Sequence, residues 1–330
     1  MGFSNMLLVL NTRRPRQAHA LRHAAAFART EDAMLTVCEV VDWVVPEVPR
    51  FMTNGTVRVT NDAIRTNKID RLKQLVVTSG ASDLDISVNL LVGKPLIEVA
   101  RAVRENQHDL VIKPFAGHRA LQFFSGAQED RDLIRSCSCP VWLVNVAEQD
   151  DGGCILAALD MPDKCDMDTG LNQRIVDISR SIALASSRPL HIVHTWRLIG
   201  EGHLQAQCNP ATDLQIDRMR THEVANRKTW LQETVAKPRA DIGHSTTEEV
   251  TPELHVLNGH AKKVIPDLAE KLGAGLIILG TAARKGLSGF VRQNTAETIL
   301  PRSDCSLLVV RQPETSPKCA LPGKRTLQVR

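Results

Sequence analysis

The run GTAARKG (280–286) sets a glycine and two cations, Arg284 and Lys285, at the end of an apolar segment. That invites comparison with a phosphate-cradling loop of the form G-x-x-x-x-G-K-[ST]. Here Lys285 precedes Gly286 and Leu287 follows it, so neither the lysine nor a hydroxyl stands where that loop needs it. Basic loop side chains of this kind are ordinarily solvated. Asp160, closing the run CILAALD, reads from its residues alone as a solvated strand-end carboxylate that caps the next turn.

Three places carry residue types that could ligate a metal. His19 and His23 are four apart on a predicted helix and share a face, but no Glu or Cys nearby completes a set. His191 and His194 are three apart on a predicted strand, hence on opposite faces. Cys137 and Cys139, with His118, make a weak thiolate and imidazole set, and no metal site is expected. Nucleophilic catalysis has no G-x-S-x-G elbow, since GLSG (286–289) lacks the spacing. Without a paired-carboxylate pattern either, the chain is expected not to be an enzyme.

The elements that must position these residues come in two sets. HDLVIKP (108–114) matches AGLIILG (274–280), SCSCPVWLVNV (136–146) matches SDCSLLVVRQP (303–313), and Gly93 falls opposite Gly259, all at an offset of about 166 residues. A period that long marks a duplicated domain rather than a solenoid. NMLLVLNTRR (5–14) likewise opposes GCILAALDMPD (153–163). In the second copy, Leu171, Ile175, Ile178 and Ile182 keep the spacing of a buried helical face. Long helical stretches are predicted near 213–236 and over 261–272, between apolar strands LHIVHTW, ELHVLNG, LIILG and SLLVVR. Apolar strands alternating with helices predict α/β architecture: two tandem doubly wound domains, each on a five-stranded parallel sheet. The expected domains are 1–149 and 150–311, joined through AEQDDGG, with 312–330 a disordered basic tail.

Composition excludes several classes. The net charge is +4, and the tail alone supplies +3 of it through Lys318, Lys324, Arg325 and Arg330 against Glu314. The remainder is near neutral, tyrosine is absent and aromatics make up 3%, so no nucleic-acid partner is expected. No run approaches the roughly 18 apolar residues of a membrane span, and the N-terminus lacks a basic leader and a cleavage site. Eight scattered cysteines without a framework rhythm fit a cytoplasmic location.

These residues resemble a family. An early strand-end Asp, a middle Gly, an apolar strand ending in Gly before a basic loop, and Cys139-Pro140-Val141 before the last strand are similar to a universal stress protein domain. Two such domains, with VIPDLAEKLGAGLIILGT and the following NTAE, resemble the tandem, E-type members of that family in bacteria. ATP-binding members carry G-x2-G-x9-G-[S/T], which places Gly280, Ala283, Gln293 and Asn294, followed by Thr295, at the phosphate loop. Glycines there would admit phosphates to backbone N–H groups, and Asn294 can cap the next helix. The resemblance also puts Asp160 at the nucleoside and Thr195 and Leu279 at the base pocket. The first copy departs further, with Asn11 for the aspartate and Pro114, Gly117, Ala127 and Gln128 in the loop.

The resemblance therefore implies a non-catalytic binding or regulatory protein of the stress response, acting through protein partners. The alternative is an ATP sensor with slow hydrolysis, holding ATP and Mg²⁺ in the second copy. A carrier of an apolar ligand between the copies is a third reading. The copies are expected to pack as a pseudo-dimer through VWLVNV and SLLVVR, whose apolar edges need covering.

Overall fold

A computed structural model describes residues 2–14, 16–41, 54–81, 83–115, 126–146, 153–162, 170–198, 210–237, 250–281, 295–302 and 304–311. The first copy runs β1 (Asn5–Leu10), α1 (Gln17–Glu31), β2 (Met34–Val41), α2 (Asn54–Thr78), β3 (Ile86–Val92), α3 (Pro95–Glu105), β4 (Leu110–Phe115), α4 (Gly126–Ser136) and β5 (Val141–Asn145). The second runs β6 (Cys154–Leu159), α5 (Leu171–Ser186), β7 (Leu190–Trp196), α6 (Pro210–Ala236), β8 (Glu253–Asn258), α7 (Ala261–Leu272), β9 (Ala274–Thr281) and α8 (Thr295–Ile299). It then turns through a 3-10 segment (Leu300–Arg302) into β10 (Ser306–Arg311).

Strands this apolar can be satisfied only between two helical layers, and that is where they lie. One layer, with Leu21 and Phe27 of α1, Leu72 of α2, Ile175 of α5 and Leu231 of α6, packs on one face of the sheet. Val99 of α3, Leu133 of α4, Ile265 and Leu268 of α7 and Ile299 of α8 pack on the other. The sheet order is β3-β2-β1-β4-β5-β10-β9-β6-β7-β8. Pairing is parallel within each copy. Between copies β5 and β10 pair antiparallel, with Val141 opposite Val309, Trp142 opposite Leu308 and Leu143 opposite Leu307. The two five-stranded sheets are thus one continuous sheet of ten strands, because each apolar last strand covers the other's edge.

The duplication reaches the backbone. Gly93 and Gly259 take φ of 138° and 143°, and their N–H groups donate to Val41 O at 2.9 Å and Trp196 O at 2.8 Å. Positive φ suits glycine, and a Cβ would run into Glu98 in one copy and Val264 in the other. Asp32 and Ser187, each with φ 52°, end α1 and α5 in the left-handed conformation. Around the seam, Arg135 of α4 grips Glu297 of α8 in a two-pronged pair, Nε to Oε1 at 2.7 Å and the other prong at 2.5 Å. Arg311 closes the last carbonyls of α4, donating to Ile134 O at 2.8 Å and Arg135 O at 2.7 Å. Pro266 inside α7 cannot donate to Lys262 O; Arg302 donates to that carbonyl instead, at 3.5 Å.

No helix among the described residues is long and apolar enough to cross a membrane. The 149/150 domain boundary, the tail 312–330 and His118 lie outside the described residues.

Candidate functional site

Strand order reverses between β1 and β4 in the first copy and between β6 and β9 in the second. At such a switch point the two loops leave in opposite directions and open a crevice at the carboxyl ends of the strands. Asp160 stands there, exposed, one residue past the end of β6. Its backbone is held by the start of α5: Asn172 Nδ2 donates to Asp160 O at 2.7 Å and Asn172 Oδ1 accepts from Asp160 N at 3.3 Å. Gln17 of α1 does the same for Asn11 N in the first copy, at 3.0 Å.

Alternation along the strands sorts the expected site residues. Thr195 is half-buried and lies on the face covered by α7 and α8, as does Leu279, which is buried and forms floor rather than wall. Gly280 faces the other way: a Cβ there would stand 2.9 Å from Leu171 Cδ2 and Ile175 Cδ1. Its missing side chain lets α5 pack closely on β9. Thr295 is half-buried and begins α8. The structure thus brings Asp160, Thr195, Leu279 and Gly280 to one strand-end region, whereas Ala283, Gln293, Asn294 and the basic loop 284–292 lie outside the described residues.

The first copy is built differently at this place. Lys113 occupies the strand position of Leu279, and Asp130 of α4 that of Ala296. The two form a close ion pair, with Lys113 Nζ donating to Asp130 Oδ1. Burial pushes the Asp130 carboxyl up against the pull of Lys113 and the more distant Arg14. Pro114 lies where β4 has already parted from β1, whose ladder ends at Leu8 and Ile112, so its missing N–H interrupts no bond to that strand.

A second constellation, on the other face, was not expected from the sequence. His194 ends the β6–β7 ladder opposite Leu159. Its Nδ1 donates to Leu159 O at 3.1 Å, and its Nε2 accepts from Arg227 of α6 at 3.1 Å. The ring is thereby fixed as one neutral tautomer, and burial holds its pKa below the ordinary value. Arg227 also meets Glu223 at 3.0 Å, Met161 Sδ at 3.7 Å and the face of Trp196 at 5.3 Å. Trp230 packs edge-on to His194, with centroids 5.1 Å apart. Beside them Pro162, Asn172, Gln173, Trp230, Thr234 and Lys237 line a small cleft. The corresponding positions of the first copy hold Thr12, Glu39 and Lys68. Lys68 Nζ donates to Glu39, and Thr12 Oγ1 donates to Glu39 Oε2 at 2.8 Å. No local motif announces this arrangement; only the register of the two copies does.

Comparison with known proteins agrees with the duplication. The model of the universal stress protein family matches residues 2–145 and 173–311. Universal stress protein E of Salmonella typhi is 30% identical over 223 residues, 67% of this chain and 66% of that protein's length. Universal stress protein E of Photorhabdus laumondii is 22% identical over 313 residues, 94% of this chain and 95% of the relative. Among solved structures, a putative universal stress protein from Pseudomonas aeruginosa UCBPP-PA14 has the same fold, with a TM-score of 0.64 at 21% identity and 94% of each chain covered. The chain belongs to the universal stress protein family, as two of its domains in tandem, and is similar to the family's E-type members.

Proposed function

We propose that this chain is a non-catalytic binding and regulatory protein of the stress response, in which the second copy offers the ligand site and the first serves as its structural partner. One observation carries the division of labour. Where the second copy has Leu279 and Ala296 beneath the strand ends, the first has the Lys113–Asp130 ion pair. A buried carboxylate such as Asp130 must keep its partner, so the first crevice is committed to its own side chains.

The ligand we propose is ATP with Mg²⁺. The described residues fit its nucleoside half: an exposed carboxylate at Asp160, a half-buried hydroxyl at Thr195 and an apolar floor at Leu279. Asp160 would accept from ribose hydroxyls, and the bound ion would supply charge neutralisation at the phosphates.

Calorimetric titration of the full chain with ATP and Mg²⁺ tests both parts. Micromolar binding that is lost in Asp160→Ala, and in the double variant Leu279→Lys/Ala296→Asp that transplants the first copy's pair, is the expected result. The transplant must keep its fold by circular dichroism. Absence of binding at millimolar ATP overturns the nucleotide reading, and binding unaffected by either variant overturns the assignment to the second copy.

A further inference from the structure

We propose that His191, Glu253 and His255 form a divalent-cation site, with zinc as its ion, that fastens the outermost strand of the second copy to its neighbour. The three residues sit near the amino ends of β7 and β8, at the opposite end of the strands from Asp160. Register places His191 opposite Glu253 and Val193 opposite His255, and alternation puts all three side chains on one face of the sheet. His191 Nδ1 is 3.0 Å from His255 Nε2. Glu253 Oε2 lies 3.5 Å from the first nitrogen, and its Oε1 lies 3.8 Å from the second.

Those separations are the size a zinc ion requires. Nitrogen and oxygen ligands at about 2.0–2.1 Å from a tetrahedral ion lie about 3.3 Å from one another. The two imidazoles are half-buried and Glu253 is exposed, which leaves the solvent side for a water as fourth ligand. Two imidazoles alone can share a proton across 3.0 Å, but that reading leaves the carboxylate unexplained. It sits beside both nitrogens, too far from either for a strong hydrogen bond.

The first copy is an internal control. Counting back from Gly93 and Gly259, and along β2 and β7, its counterparts are Thr36, Ser87 and Asn89. The fold therefore accepts uncharged polar residues at all three places, and strand pairing does not demand the histidines. β3 and β8 are the two edge strands, each with one strand neighbour, and in the second copy an ion shared with β7 would tie β8 down at the end remote from the proposed nucleotide crevice.

The test uses the full chain stripped with a chelator, titrated with Zn²⁺ by calorimetry and with Co²⁺ by visible absorption. The variants His191→Thr, Glu253→Ser and His255→Asn carry the first copy's own residues, and Cys137→Ser/Cys139→Ser controls for thiolate binding. One Zn²⁺ per chain is expected, with tetrahedral Co²⁺ bands and a higher Tm in the presence of zinc. Loss of a supporting partner alone weakens metal sites by about 10–100-fold, so each histidine variant should lose at least about 100-fold, and the cysteine variant nothing. No one-equivalent binding, binding that survives both histidine changes, or binding lost only with the cysteines overturns the proposal. If a histidine variant misfolds, the ring NMR signals of the wild-type chain decide: two histidines perturbed at one equivalent of zinc support the site, and none perturbed overturns it.

Discussion

Lys68 and Arg227 hold the same station in the two copies, each reaching from the long second helix to the last residue of the second strand that pairs with the first strand. Lys68 meets Glu39 there and Arg227 meets His194. The geometry is kept while the chemistry is exchanged, an ion pair in one copy and a cation donating to a neutral ring in the other. The side chains of Lys68 and Glu39 are only 9% and 3% exposed, so removing the lysine strands a buried carboxylate. Lys68→Ala should cost about 3–5 kcal/mol. Arg227→Ala removes a donor from an uncharged acceptor and should cost about 1–2 kcal/mol. Urea unfolding of both variants checks the order, and equal losses would contradict it.

His194 should make the protein sensitive to mild acid. Burial is the main reason its pKa falls below the ordinary 6.5, and Arg227 adds to the effect, against the bond to Leu159 O and the nearby Asp160. Below pH 6.5 the unfolded chain takes up a proton that the folded ring refuses until its own lower pKa is reached. Stability is therefore full above pH 6.5 and falls as the pH drops from there. In His194→Gln that part of the slope should flatten, as measured by Tm between pH 5 and pH 8; an unchanged slope would remove His194 from the account.

Gly280→Ala should destabilise by about 1 kcal/mol, at the low end for overpacking, because the new methyl meets the mobile ends of Leu171 and Ile175. Trimming Leu171 to alanine in the same chain should make the two losses less than additive. A double-variant cycle by chemical denaturation reads that coupling.

Ser187 and Asp32 pay the left-handed backbone in different degree. A non-glycine residue at positive φ costs about 1–2 kcal/mol, less for Asp, whose short side chain can bond locally. Ser187→Gly should gain about 0.5 kcal/mol after the entropy glycine adds to the unfolded chain. Asp32→Gly should gain less. Thermal melts of the pair give the comparison.

The fold was legible in the sequence because its signals are local and repeated. LLVL, LIIL and SLLVV are apolar enough to demand burial on both sides, and helical spacing in Leu171, Ile175, Ile178 and Ile182 was recovered in α5. The site was legible only in part. Asp160 and Thr195 stand at the ends of single strands, so position along the chain, read with the family resemblance, suffices to propose them. His194 with Arg227, and His191 with Glu253 and His255, are assembled from segments 33 to 64 residues apart. Spacing along the chain tested His191 against His194, its near neighbour, whereas register paired it with β8. The close packing at Gly280 was not legible along the chain either, since what meets it is a helix from another part of the copy.

The antiparallel seam at β5 and β10 has a consequence for access. Every strand of one copy points against every strand of the other, so the Asp160 crevice and its Asn11 counterpart open toward opposite margins of the molecule. No flat surface can lie against both crevices at once. A ligand in the second copy can be felt by the first through the shared strands and the Arg135–Glu297 pair beside them, and a partner that reads both copies together must reach around the particle.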